Sequence, residues 1–317
     1  MVDSGDSPDT NDQHQRTGTD RAEGTPSSVA LADLDARRHA VVRAHPDQSA
    51  DLAFWSAALA LDRWHFVANL EDATRAMDEG SLSSGLRTQD AQGRGMTHVF
   101  SSPERASRGF DTAYAANQKG ETPHQVLSLS VADALLHACR IAHASGEPAL
   151  MMDQYIDDVG GYGTHAMDLL GYYDFFVGPL PAQAIPYAGA VANERGDGNM
   201  LRAVYRAAIR HGTLLVATLG ESVHVIRNER GLFGMCYSSE HGAQRHLDRD
   251  KSDGFLPMSF AQLVEMDAAL REHHGDLWQS FVLDDVVAVL PEFAAGALAC
   301  PEGPSKNAQT GSWGSHA

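Results

Sequence analysis

The chain is predicted to be an α/β (α+β) protein of two tandem pseudo-repeated modules, each a small mixed sheet flanked by helices. Three observations carry this expectation. Residues 54–153 and 201–284 hold one ordered set of local patterns. Within each set, short β-type runs alternate with amphipathic helical stretches. An aromatic residue and two serines stand at one strand-to-helix corner of each, Phe100, Ser101 and Ser102 in one set and Tyr237, Ser238 and Ser239 in the other.

The elements follow in order. Residues 1–45 are rich in Asp, Ser, Thr, Gly and Gln, and read as a disordered acidic and polar tail in which 33–43 could form a fraying helix. Module one is expected at 46–155. Its first helix spans 51–62, and Trp64 opens a short β-rich strand to residue 70. Residues 71–95 are a polar insertion, and 96–100 return to a strand. Ser102 as N-cap, Pro103 in the first turn and Glu104 near the positive helix end start a helix. A strand at 126–129 precedes Ser130 and Asp133, which resemble a capping box. Ala134, Leu135, Ala138 and Ile141 then recur at helical spacing, Gly146 stops the helix, and 149–152 form a buried strand.

A Gly/Pro/aromatic linker is expected at 156–199, with a flexible turn at Gly160, Gly161 and Gly163 and a short helix at 164–170 capped by Thr164. Module two is expected at 200–300. It has an opening helix at 201–209, a strand at 213–217, a hairpin turning at 228–231, helices at 238–247 and 259–273, and a strand at 279–290 broken near Asp284 and Asp285. Residues 301–317 read as a second disordered tail.

Composition excludes several functions. Forty-two acidic against twenty-four basic residues leave a net charge of −18, which opposes nucleic-acid backbones and anionic lipid surfaces. Cys139, Cys236 and Cys300 lack a CxxC spacing; the first two fall in apolar patterns and read as buried reduced thiols. No stretch reaches the length of a membrane span, and the amino terminus lacks a signal-peptide pattern, so a cytoplasmic location is expected.

The candidate chemistry is sparse. Glu240, His241, His246, Asp248 and Asp250 are the best metal cluster, yet His241 and His246 stand five apart and face different sides of a helix. His137 and His143, six apart, are no better. Asp157 with Asp158, and Asp284 with Asp285, offer one carboxylate to each side of a strand and read as strand ends or turns. The paired serines lack a G-x-S-x-G elbow, and helix capping accounts for their recurrence. Arg105, Arg108, Arg245 and Arg249 fall on or just after corresponding helices, which leaves a paired anion-contacting groove open. Tyr162, Tyr172, Tyr173, Phe175 and Phe176 lie outside both modules; they either cement the modules or form a partner-binding patch.

The run from Val99 to Glu104 resembles the VFTS-x-E segment of the SseB family, the enhanced-serine-sensitivity group whose amino-terminal domain is also labelled a type III secretion SseB domain. Around it stand Trp64, Phe66 and Val67 in a Trp-x-Phe-Val strand, a turn at Gly93 and Arg94, and the later helix and strand of module one. Two departures are Ser101 in place of the usual threonine and Asp153 after Met151 and Met152, where the family often turns through Asn-Pro. The resemblance implies a small α/β domain of cytoplasmic bacterial proteins without an established catalytic centre, so no catalytic residue is carried over, and no secretion role follows from the label.

The expectation is a non-enzymatic, protein-binding or regulatory scaffold with no catalytic or metal residue and no cofactor. Its binding residues are Tyr162, Tyr172, Tyr173, Phe175, Phe176, Arg105 and Arg245, and its partner is a protein rather than nucleic acid or membrane. The alternative is a hydrolase or small-ligand-binding enzyme with its site in the groove between the modules.

Overall fold

The structure is a computed structural model; it describes residues 26–44, 47–69, 87–89, 95–116, 124–145, 149–250 and 252–301. Helices α1 (Ser28–Ala44) and α2 (Gln48–Leu59) open the chain. Strands β1 (Arg63–Asn69), β2 (Arg87–Gln89) and β3 (Gly95–Val99) follow, then helix α3 (Pro103–Ala116), strand β4 (His124–Ser130) and helix α4 (Val131–Ser145). Strands β5 (Ala149–Met152) and β6 (Tyr162–His165) and helix α5 (Asp168–Phe176) close this half.

The second half starts with α6 (Ile185–Arg195) and α7 (Gly198–His211). Next come strands β7 (Leu214–Leu219), β8 (Ser222–Val223), β9 (Val225–Asn228) and β10 (Gly231–Tyr237), helix α8 (Glu240–Asp250), strand β11 (Gly254–Met258) and helix α9 (Phe260–His274). Strands β12 (Trp278–Leu283) and β13 (Val287–Ala288) and helix α10 (Pro291–Ala299) end it.

The strand pairings correspond between the halves. β1 pairs antiparallel with β4, as β7 does with β11. β3 pairs parallel with β5, as β10 does with β12, and β5–β6 matches β12–β13. An antiparallel bridge between His65 and Phe100 joins the two strand groups of the first half, where Leu215 pairs with Tyr237 in the second. By this register His65 corresponds to Leu215 and Phe100 to Tyr237. In each half two helices precede the sheet, one lies across its outer face, one (α4 or α9) connects β4 to β5 or β11 to β12, and one follows the last strand. The α3 side buries Phe100, Ala106 and Phe110. The α8 side buries Ala217, Tyr237 and Ala243. The inner faces share one core that runs through both halves and includes Trp55, Trp64, Phe66, Tyr205, Phe260, Trp278 and Phe281.

Two expected segments are corrected. The tail reading of 1–45 fails over Ser28–Ala44, where α1 buries Leu34, Arg38 and Val41 on one helical stripe. The polar composition of the window conceals that stripe. Arg38 is buried because its guanidinium donates to Asp157 and to the Gly160 carbonyl.

The linker reading of 156–199 also fails. Thr164 pairs with Leu150 in β6 rather than capping a helix. At Gly163 a Cβ would stand 2.8 Å from the Leu150 carbonyl oxygen, so the glycine permits close strand approach rather than flexibility. The helix here begins at Asp168, and α6, a further helix of the same segment, buries Ile185, Ala188 and Val191. This segment therefore holds the closing strand and helix of one half and the opening helix of the next.

Strand β11 was not expected from sequence; Pro257 conceals it, and a sheet edge tolerates proline. The expected tails before residue 26 and after 301, most of the 71–95 insertion, the turn at Gly93 and Arg94, and Gly146 lie outside the described residues. Among the described residues no helix is long and apolar enough to cross a membrane.

Candidate functional site

Each half turns from strand to helix through two serines with different roles. The second serine caps the helix. Ser102 Oγ accepts from the Arg105 N–H at 3.2 Å, and Ser239 Oγ from the Gly242 N–H at 3.1 Å. The first serine is held by a carboxylate, so helix capping does not by itself account for the recurrence of the pair. Ser101 donates its N–H to Asp153 Oδ1 at 2.9 Å and its hydroxyl to Asp153 Oδ2 at 2.7 Å. Ser238 donates the same two bonds to Asp284, the N–H at 2.9 Å.

Both aspartates follow the parallel partner strand, and both have left-handed backbones, with φ of 55° for Asp153 and 52° for Asp284. Aspartate tolerates that region better than most residues. The bend turns each carboxylate back onto the neighbouring strand end. The recurrence of an apolar run ending in acid was the sequence signal for this pair; its bond to serine needed the parallel pairing of distant strands.

The two corners then diverge. In the first half Arg105 Nη1 donates to Asp153 at 2.8 Å and to Ser101 Oγ at 3.1 Å. Its other contacts are with Asp35 of α1, at 2.9 and 2.6 Å. Asp153 is fully buried. Arg105, predicted as an anion contact, is therefore consumed by two internal carboxylates. The helix that supplies one of them lay in the presumed tail. In the second half Gly242 stands where Arg105 does, three residues after the capping serine. Asp284 is half-buried, and burial raises its pKa against the opposing bonds from Ser238; neighbouring Asp285 raises it further.

A cleft of about 600 Å³ opens beside this second corner. Arg140 of α4 and Gln183 and Pro186 at the start of α6 form one wall. His211, Ser238 and Arg245 belong to the other. An adjoining hollow of about 370 Å³ shares Gln183 and His211 and adds Tyr173 and Arg210. Arg140, Arg210, His211, His241 and Arg245 are all exposed. Among the described residues, Arg140, Arg210 and Arg245 have no ion-pair partner. The sequence pointed to Arg245 alone of these three. Arg140 and Arg210 carry no pattern that sets them apart in the sequence, and only the packing of the halves brings them near it.

The predicted aromatic group lies elsewhere. Tyr162, Tyr172, Tyr173 and Phe176 pack against the shared core, and the Phe175 ring stands 4.9 Å from that of Phe176. Tyr162 meets the Phe54 ring at 5.4 Å, and Tyr172 donates to Asp51 at 2.6 Å, so this group binds α5 and β6 to α2. On the other side of α5, Asp174 pairs with Arg206 of α7, both buried. Helix α5 thus ties the halves together, and the aromatics bury area within the chain.

The remaining candidates separate. His246 is buried with its ring 5.2 Å from that of Tyr237, whereas His241 borders the cleft. Arg108 is exposed on α3, and the side chains of Asp248, Arg249 and Asp250 lie outside the described residues. Asp157 is held well below the usual carboxylate range by the hydrogen bond from Arg38, with Arg38's charge adding to it. Cys139 and Cys236 are free and buried; burial pushes the Cys139 thiol up to about 12.

No protein-family model matches the chain, and no curated protein matches it. Among solved structures, the chain is similar to Anabaena Tic22, described as protein transport, at 12% identity and a TM-score of 0.19, over 79% of this chain and 97% of the other. Similarity at that level carries no argument about fold or function.

Proposed function

We propose that this protein is a non-enzymatic cytoplasmic binding scaffold built from two SseB-like modules, and that the cleft between its halves holds an acidic segment of a protein partner. One observation supports this reading most. Arg140 and Arg245, unpaired among the described residues, line one cleft with His211, and Arg210, likewise unpaired, lines the hollow that adjoins it, in a chain whose net charge is −18. In so acidic a protein, arginines that outnumber the acidic Glu240 along these two hollows favour a local field opposite in sign to the net charge. Such a field steers and orients an anionic partner.

The hydrolase alternative has Ser238 and His211 on one cleft. Yet Ser238 gives its proton to Asp284, not to histidine, and Ser101 makes the same bond to Asp153. A serine–aspartate bond that recurs at a sealed corner supports a structural role for it.

The test is titration of the full chain with a fluorescent glutamate-rich peptide at low and high salt. Binding should weaken steeply with salt and disappear in Arg140→Glu/Arg245→Glu with the fold intact by circular dichroism. Salt-independent binding, or equal binding by that variant, removes the cleft as the site.

A further inference from the structure

The two serine–aspartate corners differ by one missing side chain. In the first half the carboxylate accepts from Ser101 and then from the guanidinium of Arg105, and Asp35 takes the guanidinium's other edge. In the second half the carboxylate accepts from Ser238, and the position of Arg105 is Gly242.

A side chain at Gly242 would start beside that carboxylate, in close contact with its neighbours. A Cβ built there would lie 3.7 Å from Asp284 Oδ1, with 3.2 Å to Ser239 Oγ and 3.3 Å to the Tyr237 ring. The second acidic partner is absent too. Arg38 of α1 donates to the carbonyl of Gly160, in the loop between β5 and β6. Asn193 of α6 donates to the carbonyl of Val286, in the loop between β12 and β13. Asp35 stands three residues before Arg38, and Ala190 three before Asn193. Both members of the internal seal are thus replaced by small residues, at a corner whose Ser238 lines the cleft.

Asp284 has no basic side chain within ion-pair distance among the described residues. Asp285 beside it accepts from the Tyr237 hydroxyl at 2.8 Å, and Glu240 borders the same cleft.

We infer that the Ser238–Asp284 corner receives a guanidinium group from an arginine side chain of the bound partner, in the position that Arg105 fills within the first half. A guanidinium suits this place better than an ammonium, because its planar fork reaches a carboxylate and a neighbouring hydroxyl together. The inference rests on the cleft reading above and adds to it. The partner segment carries an arginine for Asp284 and acidic residues for Arg140 and Arg245.

The experiment titrates the full chain with methylguanidinium, with N-acetylarginine amide and with free L-arginine, following the amide NMR signals of Ser238, Gly242 and Asp284. Methylammonium is the control. Both guanidinium compounds with blocked or absent backbone groups should saturate these signals, and Asp284→Asn should weaken them about tenfold or more, the worth of one lost charge-assisted contact. Gly242→Arg installs the missing side chain and should abolish binding. Saturation by free L-arginine alone would assign the corner to the amino acid rather than to a peptide arginine and overturn the inference. So would undiminished binding by Asp284→Asn, or no binding by the wild type. Glutamate-peptide binding separates the two claims. If it survives in Asp284→Asn while the guanidinium compounds never bind, this inference falls alone. If guanidinium binds while the glutamate peptide does not, the acidic-segment reading falls alone.

Discussion

The first corner of this protein is closed by its own chain and the second is open. Ser101 and Asp153, both buried, join Arg105 and Asp35, both partly exposed, in a network in which every charge has a partner. Ser238 and Asp284 repeat its centre without the arginine, next to a cleft. One backbone device serves two ends. Where the salt bridge is present, the corner locks α1 and α3 onto the sheet. Where glycine replaces arginine, the same corner keeps a carboxylate available at some cost, since burial already raises the pKa of Asp284.

The largest effect that tests this contrast is on stability. Asp153→Ala leaves Ser101 and the inner edge of Arg105 without their buried acceptor and should cost about 3–5 kcal/mol, as breaking one side of a buried ion pair does. Asp284→Asn should stay within about 1 kcal/mol of wild type at neutral pH. The sign follows from the raised pKa. The ionised Asp284 opposes folding above its folded pKa and ceases to do so once protonated, so the neutral amide removes a penalty. Chemical denaturation of both variants measures this, and equal losses would erase the distinction between sealed and open corners.

Acid should separate the halves next. Burial lowers His65 and His98 from 6.5 to about 4, while the corresponding positions of the second half are Leu215 and Met235. Both histidines fold neutral. Their contribution is fully present above pH 6.5 and is lost as pH falls through about 4, each withdrawing up to about 3 kcal/mol. Hydrogen exchange across that window should show β1 and β3 losing protection before β7 and β10. His65→Leu with His98→Met should bring the halves level, and an unchanged order in that variant would place the acid sensitivity elsewhere.

The smallest effect concerns a feature the halves share. Ser259 caps α9 in a full capping box with Gln262, and Ser130 Oγ accepts from the Asp133 N–H at 3.2 Å. Ser259→Ala and Ser130→Ala should each cost about 1 kcal/mol. Thermal unfolding of the two variants in parallel checks this, and a much larger loss at one would reveal a further role for that serine.

Much of the fold was legible because it is local. Period-two runs marked β1, β3 and β7, and Ser259 and Ser102 announced their helices, since a cap and its helix lie within four residues. Helix α1 was read only as a fraying helix over 33–43 because three inward residues, Leu34, Arg38 and Val41, are diluted by polar neighbours, and one of them is itself charged. Strand β6 was missed because Gly163 and Thr164 carry turn and cap signals that pairing with β5 overrides. The aromatics of α5 were read as lying outside both modules, whereas α5 follows the last strand of its half as α10 does in the other. Their place between α2 and α7 turns on which way the helix faces, which composition does not record.

The amino-acid sequence was enough for the main strands and helices of both sheets, the paired serine corners and the net acidity, because each of these depends on neighbours in the chain. Packing set which carboxylate each serine meets, that Arg105 is spent internally, and that Arg140 and Arg245 border one cleft with Arg210 in the hollow beside it. The reason is physical. Hydrogen bonds and ion pairs act over a few ångströms, and those that seal or open these corners join residues 46 to 70 positions apart, which only parallel strand pairing and helix packing bring together.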